Sequence, residues 1–426
     1  MAKRNSQKSA ASVRSGRSAR ARKKSRRHIA VIGAGAFGGW TALYLQRAGA
    51  RVTLIDAWGP GNSRASSGGE TRVIRGVYGP DQPYTALAAR AMQLWKEHEK
   101  RWRRRLFFPT GVLWMADSAG EFERGSLPLL NDAGIPYEEL SAPEMSRRWP
   151  QINFERSAWG VFEPQSGYLL ARTSARAVVE HFVAEGGEYR QAAVTSAGGG
   201  AALDSGPSTA LKLSDGSTLT ADIYIFACGP WLGTLFPQTV GLHFASTKQD
   251  VFFFGTPAND SRYNEGNIPV WADHRDHFMY GIPGNEARGF KIADDTRGEA
   301  FDPTSGERVI SETSLSEVRR YLAFRFPGMK DAPLLESRVC QYEDTTDHNF
   351  IIDRHPANQN VWIVGGGSGH GFKHGPALGE LVANLVLKDE IADATYRLSR
   401  FRQSKLPDNL ASNRTRCPSP VTTRFL

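Results

Sequence analysis

Glycines at 33, 35 and 38, an acid at Asp56 and a pair of arginines at 72 and 75 are the first residues in the chain whose spacing could serve chemistry. In a turn between a strand and a helix, Gly33 permits the tight bend, Gly35 lets the backbone approach a pyrophosphate, and Gly38 lets the helix pack closely on the strand. The helix that follows would turn its free amides and positive dipole end toward a dianion. Asp56, roughly 20 residues beyond the glycines, can accept hydrogen bonds from ribose hydroxyls. Together these residues predict a dinucleotide site, and the pattern serves FAD and NAD alike. Arg72 and Arg75 would project from one side of a helical turn and could hold a phosphate or a carboxylate; a solvated basic face is the competing reading. A second glycine-rich run, Gly365-Gly-Gly-Ser-Gly-His-Gly371, offers another cradle of backbone amides aimed at the same crevice. Asp273-His-Arg-Asp-His277 carries metal-ligand residue types, but on a strand they alternate between faces, so solvated polarity and no metal is expected there. Cys228, Cys340 and Cys417 are too few and too scattered for a disulfide framework or a zinc knuckle, and they suit a reducing compartment.

The elements that must position these residues are read from apolar periodicity. Ile29–Ile32 has the length and β-branching of a buried parallel strand. Ala42, Leu43 and Leu45 give the next helix an apolar face, Gly49 ends it, and Val52–Ile55 is a second strand closing on Asp56. The Gly- and Ser-rich segment 58–75 lies beyond that strand's carboxyl end, where ligands bind in open α/β sheets. A helix is expected over 84–105, with Leu87, Met92, Leu94 and Trp95 inward and a solvated basic end. A strand at 111–116, a short helix at 143–149, and a strand from 159 leading into a turn at 167–170 follow. Residues 173–185 read as a helix stopped by Gly186-Gly187, 195–209 as a flexible loop, and 211–219 as a hairpin about Asp215-Gly216. Ile223–Ala227 should return to the first sheet before Cys228-Gly-Pro-Trp231. From about 240 to 335 longer alternating strands point to a second, antiparallel-rich unit inserted into the first. Arg338–Tyr342 reads as a short strand, Val361–Val364 as a buried one, and a helix runs on to Leu387.

The expected fold is therefore α/β with two domains. A Rossmann-like dinucleotide-binding domain is assembled from 28–85, 165–235 and 338–404, and an antiparallel-sheet substrate domain from 86–164 and 236–337. The formal charge of +9 misleads until it is located: residues 1–27 hold eleven Lys or Arg and no acid, leaving 42 basic against 44 acidic residues in the remainder. That basic tail should be disordered, as should 405–426. It reads as an organelle transit peptide, a weak polyanion-binding arm or an incidental extension. No apolar run approaches the ~18 residues of a membrane span and no secretory core is present, so a cytoplasmic protein is expected, with organelle import through the tail as the alternative.

Cys340-Gln-Tyr342, Phe350-Ile-Ile-Asp353 and Gly369-His-Gly-Phe-Lys373 follow one another in order, and here the chain resembles the monomeric sarcosine oxidase and N-methyltryptophan oxidase family. These belong to the D-amino-acid-oxidase-like flavoproteins. Gly69-Glu-Thr-Arg72-Val-Ile-Arg75, Cys228-Gly-Pro-Trp231, Tyr280-Gly-Ile-Pro283 and Gly289-Phe-Lys291-Ile extend the resemblance over residues 28 to 400. It implies FAD rather than NAD, joined covalently through Cys340 to the flavin ring. It also implies that Arg75 and Lys373 clamp a substrate carboxylate, that Arg72 lies close to the flavin, that Tyr280 and Tyr342 surround the substrate, and that oxygen is activated at Lys291. Val194, Gly369, Gly371 and Phe372 fall among its cofactor contacts. Two departures stand out, Ser67-Gly68 and Asp295 where the sarcosine oxidases carry histidines. They move the expected substrate from sarcosine to a larger, more basic or cyclic amino acid.

The activity implied is oxidation of a secondary or cyclic α-amino acid by a monomer, with hydride transfer to flavin N5, release of an imine and return of the electrons to dioxygen as hydrogen peroxide. A dehydrogenase or biosynthetic desaturase on the same fold is the alternative. Nucleic-acid binding through the tail is remote, because a short basic arm supplies little specificity.

Overall fold

The computed structural model describes residues 26–402, apart from 196–200, 205–209 and 276. Residues 1–25 of the tail expected at 1–27, all of the tail expected at 405–426, and most of the expected loop at 195–209 lie outside the described residues. At the centre is a six-stranded sheet in the order Ile351–Arg354, Val361–Gly365, Ile223–Phe226, His28–Ile32, Arg51–Asp56 and Glu188–Gln191. Its strands are parallel except Ile351–Arg354, which runs against Val361–Gly365. Ile29 stands between Val52 and Ile223 in the ladder, which makes the glycine-bearing strand a central one. Such a strand is covered on both faces and so is apolar throughout, with Ile29, Ala30 and Val31 fully buried. The helices Ala36–Arg47 and Gly375–Lys388 cover one face through Trp40, Leu43, Leu378 and Val382. The other face packs on Leu211, Leu213 and Leu219 of the expected hairpin, whose turn glycine, Gly216, has φ of 83°.

The second sheet has eight strands, in the order Leu334–Thr345, Phe244–Phe254, Phe290–Asp294, Phe278–Ile282, Val270–His274, Val112–Ala116, Trp159–Glu163 and Glu138–Ser141. All neighbours are antiparallel except Val270–His274 with Val112–Ala116. The helix Glu312–Arg325 closes its core with Val318 and Leu322 against Trp271, Phe290 and Phe326.

Several sequence expectations are corrected. Arg72 lies in a strand, Thr71–Ile74, and Arg75 just past its end, so the pair does not share a helical turn. Residues 167–170 are no turn: Gly167–Leu170 is the central strand between Thr71–Ile74 and Phe107–Phe108, because Tyr168 and Leu169 gain ladder partners on both sides. Ala201–Asp204, inside the expected flexible loop, is a helical turn pinned by Asp204, which accepts from the Gln238 amide at 2.7 Å and the Thr239 hydroxyl at 2.7 Å. The short strand expected at Arg338–Tyr342 is twelve residues long, Leu334–Thr345, and pairs with Phe244–Phe254 in the second sheet. Asp273 is not solvated polarity. It is buried and accepts from Arg325 at 2.6 Å, Arg275 at 2.5 Å and Tyr321 at 2.7 Å, and the Arg325 side chain is itself fully buried. Among the described residues, no group of three or more His, Cys, Asp or Glu is arranged to hold a metal ion, and no helix is long and apolar enough to cross a membrane.

Candidate active site

A crevice of about 1220 Å³ opens at the carboxyl ends of the parallel strands. The glycine turn forms its floor: Gly33 has φ of 104°, and a Cβ there would stand 2.3 Å from the Ala227 carbonyl oxygen, so no side chain fits. Gly38 is tighter, since its Cβ would meet the Gly33 carbonyl oxygen at 1.9 Å. Asp56 accepts from the amides of Ala34 at 2.8 Å, Trp58 at 2.9 Å and Gly59 at 2.7 Å. It therefore ties the glycine turn to the loop after the second strand, and burial pushes its carboxyl above the usual range despite these bonds. Ser67, one of the two departures, turns its Oγ to the Ala36 amide at 3.0 Å, at the start of the first helix. Gly35, Val194, Gly369, Gly371 and Phe372 all line this crevice.

Sequence reading missed some of the crevice. Glu343 faces it from the strand carrying Cys340, accepting from the Ser66 hydroxyl at 2.8 Å, and burial pushes its carboxyl up to about 7. Trp58 and Trp231 lie with ring centroids 4.8 Å apart on its lining. No motif marks Glu343, which lies just past the expected strand at Arg338–Tyr342; only the register of the second sheet aims it inward.

Arg72 stands where the crevice meets a second cavity of about 800 Å³ and lines both. Its guanidinium donates to the carbonyls of Ser66 at 2.6 Å and Thr71 at 2.9 Å, and lies 3.2 Å from the Cys340 sulfur. That contact fixes the sulfur beside a buried guanidinium. Cys228 differs: burial pushes its thiol up, which suits an inert core position.

The second cavity gathers Arg75, Tyr280, Tyr342 and Lys373 with Trp114, Phe278 and Asp295. Arg75 lies over the Tyr78 ring at 4.2 Å and the Trp114 ring at 4.7 Å, with the Val77 carbonyl as acceptor. Stacking on two rings fixes a planar guanidinium before any ligand arrives. Behind it, Glu163 is fully buried and accepts from the Gly76 amide at 2.6 Å and the Trp114 indole at 3.2 Å. Lys373 donates to the Tyr78 hydroxyl at 2.9 Å and the His370 carbonyl at 2.8 Å, and Tyr78 in turn meets His374 Nε2 at 2.7 Å. Burial, then the charge of Arg75, holds the Lys373 ammonium well below its ordinary range. Lys291 lies beside this cavity, donating to the Thr71 carbonyl at 3.1 Å with the Tyr280 ring centroid 5.4 Å from its Nζ. Burial, then the nearby Arg72, pushes it down to about 7.

A parallel sheet with a glycine turn on its crevice, joined at one buried arginine to a second cavity lined by Arg75 and Lys373, defines an enzyme in which a dinucleotide cofactor meets a small substrate. The chain belongs to the FAD dependent oxidoreductase (DAO) family, whose sequence profile matches residues 28–385, and the dinucleotide is FAD. It is 31% identical over 366 residues to monomeric sarcosine oxidase of Bacillus sp. (strain B-0618), covering 84% of this chain and 92% of that one. It is 29% identical to N-methyl-L-tryptophan oxidase of Yersinia pestis (strain Pestoides F), covering 88% of this chain and 99% of that one. Among solved structures, L-proline dehydrogenase from P. horikoshii superposes with a TM-score of 0.77 at 21% identity, covering 90% of this chain and 99% of that one.

Proposed function

We propose that this FAD-dependent oxidoreductase oxidises the CH–NH bond of a secondary or cyclic α-amino acid and delivers the electrons to dioxygen. One observation carries the reading: Arg75 and Lys373 converge in a cavity that holds Cys340 on its lining and borders the dinucleotide crevice at Arg72 and Tyr342. FAD, when bound, supplies the hydride acceptor and the two-electron passage to dioxygen. Gly33, Gly35, Asp56, Val194, Gly369, Gly371 and Phe372 would hold it, since they line the crevice together, and Gly38 serves by letting the first helix close on the Gly33 backbone. Arg72 and Cys340 would meet its ring, with Cys340 forming a thioether.

Arg75 and Lys373 bind the substrate carboxylate. Arg75 is already oriented by its two rings, and Lys373 regains its proton when an anion enters beside it. Clamping that group fixes the neighbouring carbon, and orientation of this kind can lower a barrier by several kcal/mol. The aromatic lining of Trp114, Phe278, Tyr280 and Tyr342 excludes water from the reacting bond. The substrate loses a hydride from carbon and a proton from nitrogen, leaving a C=N product that hydrolyses after release. Lys291, protonated, favours negative charge developing on dioxygen in a poorly solvated place.

The test starts by precipitating purified protein with acid. Yellow colour is expected in the pellet for the parent chain and in the supernatant for Cys340→Ser. Turnover of N-methyl and cyclic amino acids should then yield one hydrogen peroxide per imine; imine without peroxide would establish the dehydrogenase reading instead.

A further inference from the structure

We propose that Asp295 selects substrates carrying a second positive charge, on the side chain and away from the reacting amine. The inference rests on the reading of the cavity as an amino-acid site. Asp295 follows the strand Phe290–Asp294, and its amide donates to the Phe278 carbonyl at 2.7 Å, which fixes the residue where the strand leaves the sheet. Its carboxylate lines the same cavity as Arg75, Tyr280 and Lys373. Tyr342 donates to one carboxylate oxygen at 2.5 Å and so holds the group in place. The other oxygen stands 3.6 Å from Arg297, which is engaged more closely by Asp344 at 3.0 Å and by the Ser368 carbonyl at 2.9 Å. Arg297 is thus committed mainly to Asp344, so the Asp295 charge is balanced only at longer range, by Arg297 and by Arg75 and Lys373 across the cavity.

That charge works against the carboxylate that Arg75 and Lys373 attract, because like charges in a poorly solvated space repel. Burial adds a desolvation cost, and its direction is visible in the Asp295 carboxyl, which burial raises above the usual range. A positive group on the ligand offsets both costs. The reacting amine is the wrong group for this role: pairing it with a carboxylate would hold the proton that must leave before hydride can depart. The cation therefore belongs to the side chain. Of the other acids on the lining, Asp294 pairs with His277 at 2.7 Å, and Asp250 accepts from the Ser311 amide at 2.8 Å through one oxygen while its other oxygen stands 3.9 Å from the Lys248 ammonium. The cavity is thus dipolar, with cations for a carboxylate at one wall and Asp295 for an ammonium or guanidinium at another.

The test compares Nα-methyl-L-lysine with Nα-methyl-L-norleucine, which has the same carbon skeleton without the charge. For the flavin-loaded enzyme, kcat/KM should favour the lysine by ~10-fold or more. Asp295→Asn should bring the two within about threefold of each other, and Asp295→Glu should keep a preference for the lysine, as a charge effect requires and a packing effect does not. Titration calorimetry with 6-aminohexanoate and hexanoate asks the same question without turnover. The aminated acid should bind more tightly to the parent chain, and Asp295→Asn should remove the difference. If neither amino acid is oxidised while this binding difference holds, the oxidase reading fails and the role of Asp295 stands. A parent enzyme that binds or oxidises the uncharged partner equally well overturns the proposal without any variant, as does a preference that survives in Asp295→Asn.

Discussion

Replacing Lys291 by methionine should stabilise the flavin-free protein while crippling its reaction with oxygen. The lysine is 2% exposed and donates to the Thr71 carbonyl. Its fall from 10.5 to about 7 means that keeping the ammonium charged at neutral pH costs the folded state ~5 kcal/mol. Methionine removes that cost but takes away one of two donors to the Thr71 carbonyl, which Arg72 still meets at 2.9 Å; losing a hydrogen bond from a charged donor costs ~1.5–3 kcal/mol. The net expectation at pH 7 is a gain of ~2–4 kcal/mol. Between about 7 and 10.5 the unfolded chain keeps a proton that the folded chain has released. The parent's stability therefore rises with pH across that window, and the variant's does not. Urea unfolding of protein from riboflavin-starved cells, at neutral and alkaline pH, measures this. For the reaction, a unit charge ~4 Å from developing superoxide contributes ~4 kcal/mol at an effective dielectric constant of ~20, or ~10³-fold in rate. Stopped-flow reduction without air, followed by mixing with oxygenated buffer, separates the two half-reactions. Reduction should stay close to the parent rate and reoxidation should fall. Reoxidation at the parent rate would refute the oxygen role, and a loss of stability at pH 7 would refute the charge argument.

Arg75→Met should cut kcat/KM by ~10–100-fold, since a charge-assisted hydrogen bond contributes ~1.5–3 kcal/mol, and titration with a substrate-like carboxylate should show the same loss of affinity. Gly38→Ala places a Cβ 1.9 Å from the Gly33 carbonyl oxygen, so the protein should be recovered without flavin, as judged by its absorbance ratio at protein and flavin wavelengths. Asp273→Asn leaves the fully buried Arg325 without its counter-charge, and a loss of ~3–5 kcal/mol is expected in urea unfolding.

The glycine turn was legible because its constraint is local. A positive φ at Gly33 and a backbone contact at Gly38 exclude side chains whatever the rest of the chain does, and the flanking strands announce themselves by apolar runs. The helix at Ala36–Arg47 and the hairpin about Gly216 follow from the same kind of signal. Arg72, Arg75, Tyr280, Tyr342, Cys340 and Lys373 were found through ordered motifs and do share a cavity. The strand at Gly167–Leu170 was misjudged because a glycine beside a tyrosine reads as a turn until partners on both sides supply ladder bonds. Asp273 was misjudged because its buried partner Arg325 lies 52 residues away, a distance at which sequence pattern is silent.

The sequence by itself determined the dinucleotide-binding half, whose strand, turn and helix are dictated by backbone sterics and short-range periodicity. Only the tertiary structure decided the chemistry at the junction. Cys340 reaches Arg72 across 268 residues, and Lys291 reaches the Thr71 carbonyl across 220. Both contacts depend on the register of strands in the second sheet, where a slip of one residue would turn Cys340 and Tyr342 away and bring Gln341 and Glu343 into their place. Register is set by the fit of whole apolar faces against one another, so no short segment of the chain encodes it.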